Sequence, residues 1–145
     1  MSFRVLSPQP STRGGSHFPP LKLPSMNVLV LGASSNPDRY AYRAALQLRQ
    51  KGHNCYLLGQ RPGEVDGMPI HTQWPPEDVF RPDTVTLYLG PAGQATWRDT
   101  LLSKDYRRIL FNPGTENPDL ELALRAMGKE CQQACTLVLL ATHSF

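Results

Sequence analysis

The residues best suited to chemistry form one stretch, Leu31-Gly32-Ala33-Ser34-Ser35-Asn36-Pro37-Asp38-Arg39. It follows a short apolar run and precedes a helical period. Gly32 allows a tight backbone turn. The amide N–H groups and the Ser34 and Ser35 hydroxyls that follow can then hydrogen-bond an anion, and the N-terminus of the next helix adds a favourable dipole. A pyrophosphate is the natural guest of such a loop. A turn capped by serine and asparagine, with no ligand at all, would use the same residues.

A dinucleotide fingerprint is absent. Gly-x-Gly-x-x-Gly would need glycine at positions 34 and 37, where Ser34 and Pro37 stand. A nicotinamide dinucleotide site also favours an acid at the end of the second strand, to hold the ribose hydroxyls. That place is taken by Gly59, Gln60 and Arg61. An arginine there suits a phosphate on the ribose through charge-assisted hydrogen bonds. Both the 2′-phosphate of NADP and the 3′-phosphate of coenzyme A meet that description. Taken alone, Arg61 reads as readily as a solvated surface residue.

Other reactive types are scattered. His17, His53, His71 and His143 have no partner at informative spacing, and no Ser-His-Asp order, paired-carboxylate motif or metal-ligand cluster stands out. Glu116 reads as a cap or a solvated charge. Cys135 is the best nucleophile candidate, with a small buried thiol as its plain alternative.

The elements that must position these residues alternate between apolar runs and helical periods. Val28-Leu29-Val30-Leu31 is continuous, as expected of a strand buried on both faces. Asn36 suits an N-cap and Pro37 the first helical position. Ala41, Ala44, Ala45 and Leu48 then follow the helical template, and Gly52 stops it. Cys55–Leu58 reads as strand two, and a Gly/Pro-rich connection runs from Gly59 to Pro82. Val85–Leu89 reads as strand three, Gln94–Ser103 as a helix on Trp97, Leu101 and Leu102, and Ile109–Phe111 as strand four. Asn117-Pro118 repeats the cap-plus-proline signal before a helix on Leu120, Ala123, Leu124 and Met127. Glu130–Gln132 is a short fifth strand, and Thr136–Ala141 suits helix and strand alike. Strands alternating with helices imply a parallel sheet with helical crossovers. Ligands of such sheets sit beyond the carboxyl ends of the strands, which selects the loops after Leu31, Leu58, Leu89 and Phe111.

The chain has 145 residues, enough for one domain. No apolar run approaches the roughly 20 residues that span a bilayer, which argues against a membrane protein. The three cysteines, Cys55, Cys131 and Cys135, suit neither a disulfide framework nor a four-ligand zinc site and favour a reducing, cytoplasmic setting. The formal charge of +3 comes from residues 1–25, which carry Arg4, Arg13 and Lys22 and no acid. The remainder is neutral and shows no basic stripe for nucleic acid. Residues 1–25 also hold five of the 14 prolines, and read as a disordered Pro/Ser-rich tail or an over-extended start, with Met26 directly before the first strand.

Together these segments resemble the stand-alone CoA-binding protein family, whose relatives include the N-terminal domain of the succinyl-CoA ligase alpha subunit. The segments that carry it are Val30–Tyr40, Asp83–Pro91, Phe111–Pro118 and Ala134–Leu137, and the match covers about residues 26–145. The resemblance implies a cofactor set of Gly32, Ala33, Ser34, Ser35, Asn36, Pro37, Arg39, Tyr40, Gln60, Arg61, Gly90, Pro91, Asn112, Pro113, Gly114 and Cys135. In it, the first loop holds the phosphates, Gln60 and Arg61 stand where the ligases use a lysine near the adenosine, and Cys135 aligns near the cofactor's distal end. The ligases' second domain, with its phosphorylated histidine, has no counterpart here; His143 is outside that motif.

The expectation is therefore an α/β, single Rossmann-like domain with a parallel sheet of about five strands and helices on both faces. Its expected role is to bind coenzyme A or an acyl-CoA as a non-catalytic nucleotide-binding module, without nucleic-acid or membrane partners. A small NADP-linked oxidoreductase and an interaction protein with a degenerate nucleotide pocket are the alternatives.

Overall fold

The computed structural model describes residues 25–145; the expected tail over residues 1–25 lies outside them except for Ser25. The fold is built on β1 (Asn27–Leu31), α1 (Tyr40–Gln50), β2 (Asn54–Leu58), β3 (Gly63–Val65), β4 (Met68–His71) and β5 (Thr84–Leu87). Then follow α2 (Pro91–Gln94), a 3₁₀ turn over Ala95–Trp97, α3 (Arg98–Ser103), β6 (Arg108–Phe111), α4 (Pro118–Ala126), β7 (Glu130–Gln133) and α5 (Thr136–Ala141). One sheet takes all the strands, in the order β3-β4-β2-β1-β5-β6-β7. Every pairing is parallel except β3 with β4.

The α/β class and the single domain agree with expectation; the sheet has seven strands rather than five. The two extra strands are a hairpin inside the Gly/Pro-rich connection. Its turn is Asp66-Gly67, both at positive φ (50° and 83°), the signature of a two-residue hairpin turn. The helix after β1 also starts later than the Asn36-Pro37 signal suggests. Asn36 spends its cap on a local turn: its Oδ1 accepts the Asp38 N–H at 3.0 Å and its carbonyl accepts the Arg39 N–H at 3.0 Å. The helix begins only at Tyr40. The second cap signal holds, since the Asn117 side chain accepts the Leu120 N–H and Pro118 is the first helical residue. Ambiguous residues 136–141 form a helix.

Alternation along β1 divides the core. Leu29 and Leu31 point to the face covered by α3 and α4, where they meet Leu101, Leu120 and Leu124. Val28 and Val30 point to the face covered by α1 and α5, against Ala41, Ala45, Leu48 and Leu140. Burying apolar side chains on both faces at about 25 cal/mol per Å² is what holds the layers together. From β1 the chain runs outward to β2 and the hairpin, then returns to β5 on the other side. The reversal places a switch point between β1 and β5, and the carboxyl ends of those two strands open a crevice there.

Candidate functional site

The crevice at the switch point is a cleft of about 430 Å³. Loops after β1, β2, β5 and β6 all reach it, and Ile70 of the hairpin joins them. Backbone hydrogen bonds tie the loops to the sheet end. Gly32 and Ala33 N–H both donate to the Leu58 carbonyl, at 2.9 and 3.0 Å, and Tyr88 N–H donates to the Leu31 carbonyl at 2.8 Å. Gly32 has φ +101°, and a Cβ there would lie 2.9 Å from the Tyr88 carbonyl carbon, so only glycine fits. A Cβ at Gly59 would lie 2.5 Å from the Ala33 carbonyl oxygen. The first and second loops are thus packed backbone to backbone.

The floor of the cleft offers hydrogen-bond donors. Ser34 Oγ accepts the Asn36 N–H at 3.1 Å, which curls the loop. At the start of α1 the Tyr42 and Arg43 N–H groups donate to the Arg39 carbonyl, while those of Tyr40 and Ala41, the first two helical residues, have no intrahelical acceptor, and both residues line the same cleft. Arg39 and Arg61 add two cations, while the lining side chains include no carboxylate, imidazole or thiol. A lining with donors and cations but no acidic side chain favours an anion; at its margin Glu116 Oε1 accepts the Gly114 N–H at 2.9 Å. The phenols of Tyr40 and Tyr88 are the titratable groups other than the arginines among the lining side chains.

Of the expected cofactor residues, Gly32, Ala33, Ser34, Ser35, Arg39, Tyr40, Gln60, Arg61, Gly90, Pro113 and Gly114 line this cleft. Asn36, Pro37, Pro91, Asn112 and Cys135 lie outside the lining. Asn36 and Pro37 form the turn that carries the loop to α1, and Pro91 starts α2. Asn112 is 1% exposed and faces inward: its Nδ2 donates to Thr86 Oγ1 at 2.8 Å and to the Leu87 carbonyl at 2.9 Å. Cys135 is the half-buried residue before α5, just beyond β7.

The structure also brings in residues that sequence reasoning did not select: Ala41, Pro62, Ile70, Tyr88, Leu89 and Thr115. Ile70 arrives with the hairpin, whose Asp-Gly turn was the available signal. Tyr88 and Leu89 were read as strand, but β5 ends at Leu87 and frees them for the crevice wall. The Tyr88 ring is largely buried, and burial pushes its phenol up to about 12. Its hydroxyl lies beside Thr136 and Thr86 without a hydrogen bond of good geometry to either.

Comparisons with known proteins agree with the fold. A solved structure described as an uncharacterized protein is 40% identical and superposes with a TM-score of 0.79, over 85% of this chain and 100% of that one. The cell-free ID.343 protein from Thermus thermophilus is 20% identical, with a TM-score of 0.72 over 83% and 91%. A conserved hypothetical protein from Pyrococcus furiosus is 22% identical, with a TM-score of 0.67 over 79% and 97%. The latter two show the fold alone. No curated protein matches the chain. The family model described as the CoA binding domain matches residues 26–141, from the start of β1 to the end of α5. The stretch contains every loop of the cleft, and the chain belongs to the CoA binding domain family.

Proposed function

We propose that this protein binds coenzyme A, free or acylated, in the switch-point cleft, and acts as a holding module rather than as an enzyme. The observation that carries the reading is the cleft's composition: free loop donors, a helix N-terminus and two arginines converge with no carboxylate among the lining side chains. Coenzyme A has three phosphate groups in its adenosine diphosphate part, and these are the anions such a site stabilises. The pyrophosphate lies on Ser34, Ser35 and the N-terminus of α1. The adenosine lies toward Gln60, Arg61, Pro62 and Ile70, with Arg61 on the 3′-phosphate. The pantetheine arm runs the other way, past Tyr88, Leu89 and Gly90 to Pro113, Gly114 and Thr115.

In this reading Arg39 and Arg61 neutralise charge, the loop donors orient the pyrophosphate, and the apolar wall of Leu89 excludes water from one side of the arm. The free thiols Cys55, Cys131 and Cys135 fit a reducing, cytoplasmic setting. No helix of the described residues is long and apolar enough to cross a membrane. NADP is the competing ligand, because Arg61 would serve a 2′-phosphate equally well.

A thermal-shift panel of CoA, dephospho-CoA, NADP and NAD tests the proposal. A ligand at 100 times its dissociation constant stabilises by about 2.7 kcal/mol. CoA is expected to give the largest shift. An equal or larger shift with NADP would overturn the reading in favour of a dinucleotide site.

A further inference from the structure

Beyond the carboxyl end of the sheet, the loops after β5 and β6 are no longer held by the strand ladder, whose last pair is Leu87 with Phe111. One side chain bridges them. Gln94 is 1% exposed and spends its whole amide. Its Nε2 donates to the Leu89 carbonyl at 2.8 Å and to the Thr115 carbonyl at 2.7 Å. Its Oε1 accepts the Asn117 Nδ2 at 2.8 Å, and the Asn117 Oδ1 accepts the Leu120 N–H at the start of α4. Leu89 and Thr115 both line the cleft, one from each loop, yet Gln94 itself is outside the lining.

We infer that Gln94 is a positioning residue: it fixes the separation of the Leu89 and Thr115 walls, and so places the ligand's arm. The inference rests on the proposed binding of CoA in this cleft. The chemistry at position 94 explains why a glutamine stands there. Two donors and one acceptor must sit on one planar head at the end of a two-carbon reach. Asparagine is too short, and an ionised glutamate has no donor for either carbonyl. The Leu89 side chain lies 3.2 Å from the place a Cβ would take on Gly32. Movement of the Leu89 wall would therefore change its fit against the first loop. The adenosine end, over Gln60 to Ile70, is remote from this bridge in the sheet order. Loss of the bridge should then be felt by the arm and not by the nucleotide.

Isothermal titration of CoA and of adenosine 3′,5′-bisphosphate, which lacks the arm, separates the two ends. The proteins are the wild type, Gln94→Leu and Gln94→Glu. Gln94→Leu is expected to weaken CoA about tenfold, the loss of one net hydrogen bond, while the bisphosphate changes by less than about twofold. Gln94→Glu is expected to show the CoA loss near pH 8 and to recover part of it near pH 5.5. A protonated buried carboxyl regains one donor there, and the wild type should show no matching recovery. Equal losses for both ligands, or unchanged CoA affinity in both variants, would overturn the role of Gln94. A wild type that binds neither compound would instead overturn the proposed function. Should Gln94→Leu not fold, the pH profile of Gln94→Glu decides alone.

Discussion

Asn112 and Thr136 are joined by a buried hydrogen bond, the Thr136 N–H donating to Asn112 Oδ1 at 2.8 Å. With its Nδ2 on Thr86 and the Leu87 carbonyl, Asn112 ties β5, β6 and the start of α5 into one unit. Thr86 and Thr136 close the network, Oγ1 to Oγ1, at 2.7 Å. Both Nδ2 donors of Asn112 are spent on these partners, and its Oδ1 already accepts the Thr136 N–H.

Asn112→Ala should accordingly act on stability. It strands the Thr136 N–H and the Leu87 carbonyl in the core, and buried groups left unpaired cost about 1–3 kcal/mol. A lowered melting temperature is expected, with CoA affinity retained while the variant is folded. Loss of affinity with unchanged melting would show instead that Asn112 touches the ligand.

Arg61 should separate CoA from its dephosphorylated form. If its guanidinium meets the 3′-phosphate, Arg61→Ala removes a charge-assisted hydrogen bond worth roughly 1.5–3 kcal/mol from CoA binding alone. Titration of CoA and dephospho-CoA against both proteins gives the coupling. Identical losses for the two ligands would place Arg61 on another part of the molecule.

The parallel core was legible because β1, β2 and β6 carry short continuous apolar runs, β5 sets Val85 and Leu87 among threonines that are also buried, and Gly52, Gly128 and Asn117-Pro118 punctuate the helices. The hairpin was hidden by composition. Its strands are only three and four residues long, and β4 contains Pro69. What sequence could not show was direction. Asn112 and Pro113 are neighbours in one motif, yet Pro113 faces the cleft and Asn112 the core. Gln94 was invisible for the same reason: its value lies in two carbonyls brought to it by the fold.

His53 should make stability fall in mild acid. Its Nδ1 accepts the Met26 N–H at 3.0 Å, a bond that only the neutral ring can take. Burial, and then the nearby Arg108, lower its pKa below the ordinary 6.5. The folded state therefore binds fewer protons than the unfolded one, and this contribution is complete above 6.5 and lost as pH falls through the lowered value. Melting temperature should be flat from near pH 8 to near pH 7 and decline by pH 5.5. The decline should be smaller in His53→Gln. A wild-type profile unchanged by the substitution would remove His53 as its cause.

The last prediction concerns Cys135 and follows from the sheet order. Counting from β1, where the pyrophosphate is proposed to lie, β5, β6 and β7 follow in turn. Three strand spacings at about 4.8 Å make roughly 14 Å, and Cys135 follows the last of these strands. The cleft lining ends at the loop after β6, so an arm leaving it in the same direction heads toward the Cys135 thiol. With CoA disulfide as the oxidant, the Cys135 thiolate would attack one sulfur, the S–S bond would break, and one CoA thiol would leave. The other cysteines compete poorly. Burial pushes the Cys55 thiol up to about 11, and burial also raises that of Cys131, so both hold little of the reactive thiolate. Intact-mass spectrometry after incubation with CoA disulfide should show one adduct in the wild type and in Cys55→Ser, and none in Cys135→Ser. An adduct that persists in Cys135→Ser, or a wild type that gains none, would mean that the arm ends elsewhere.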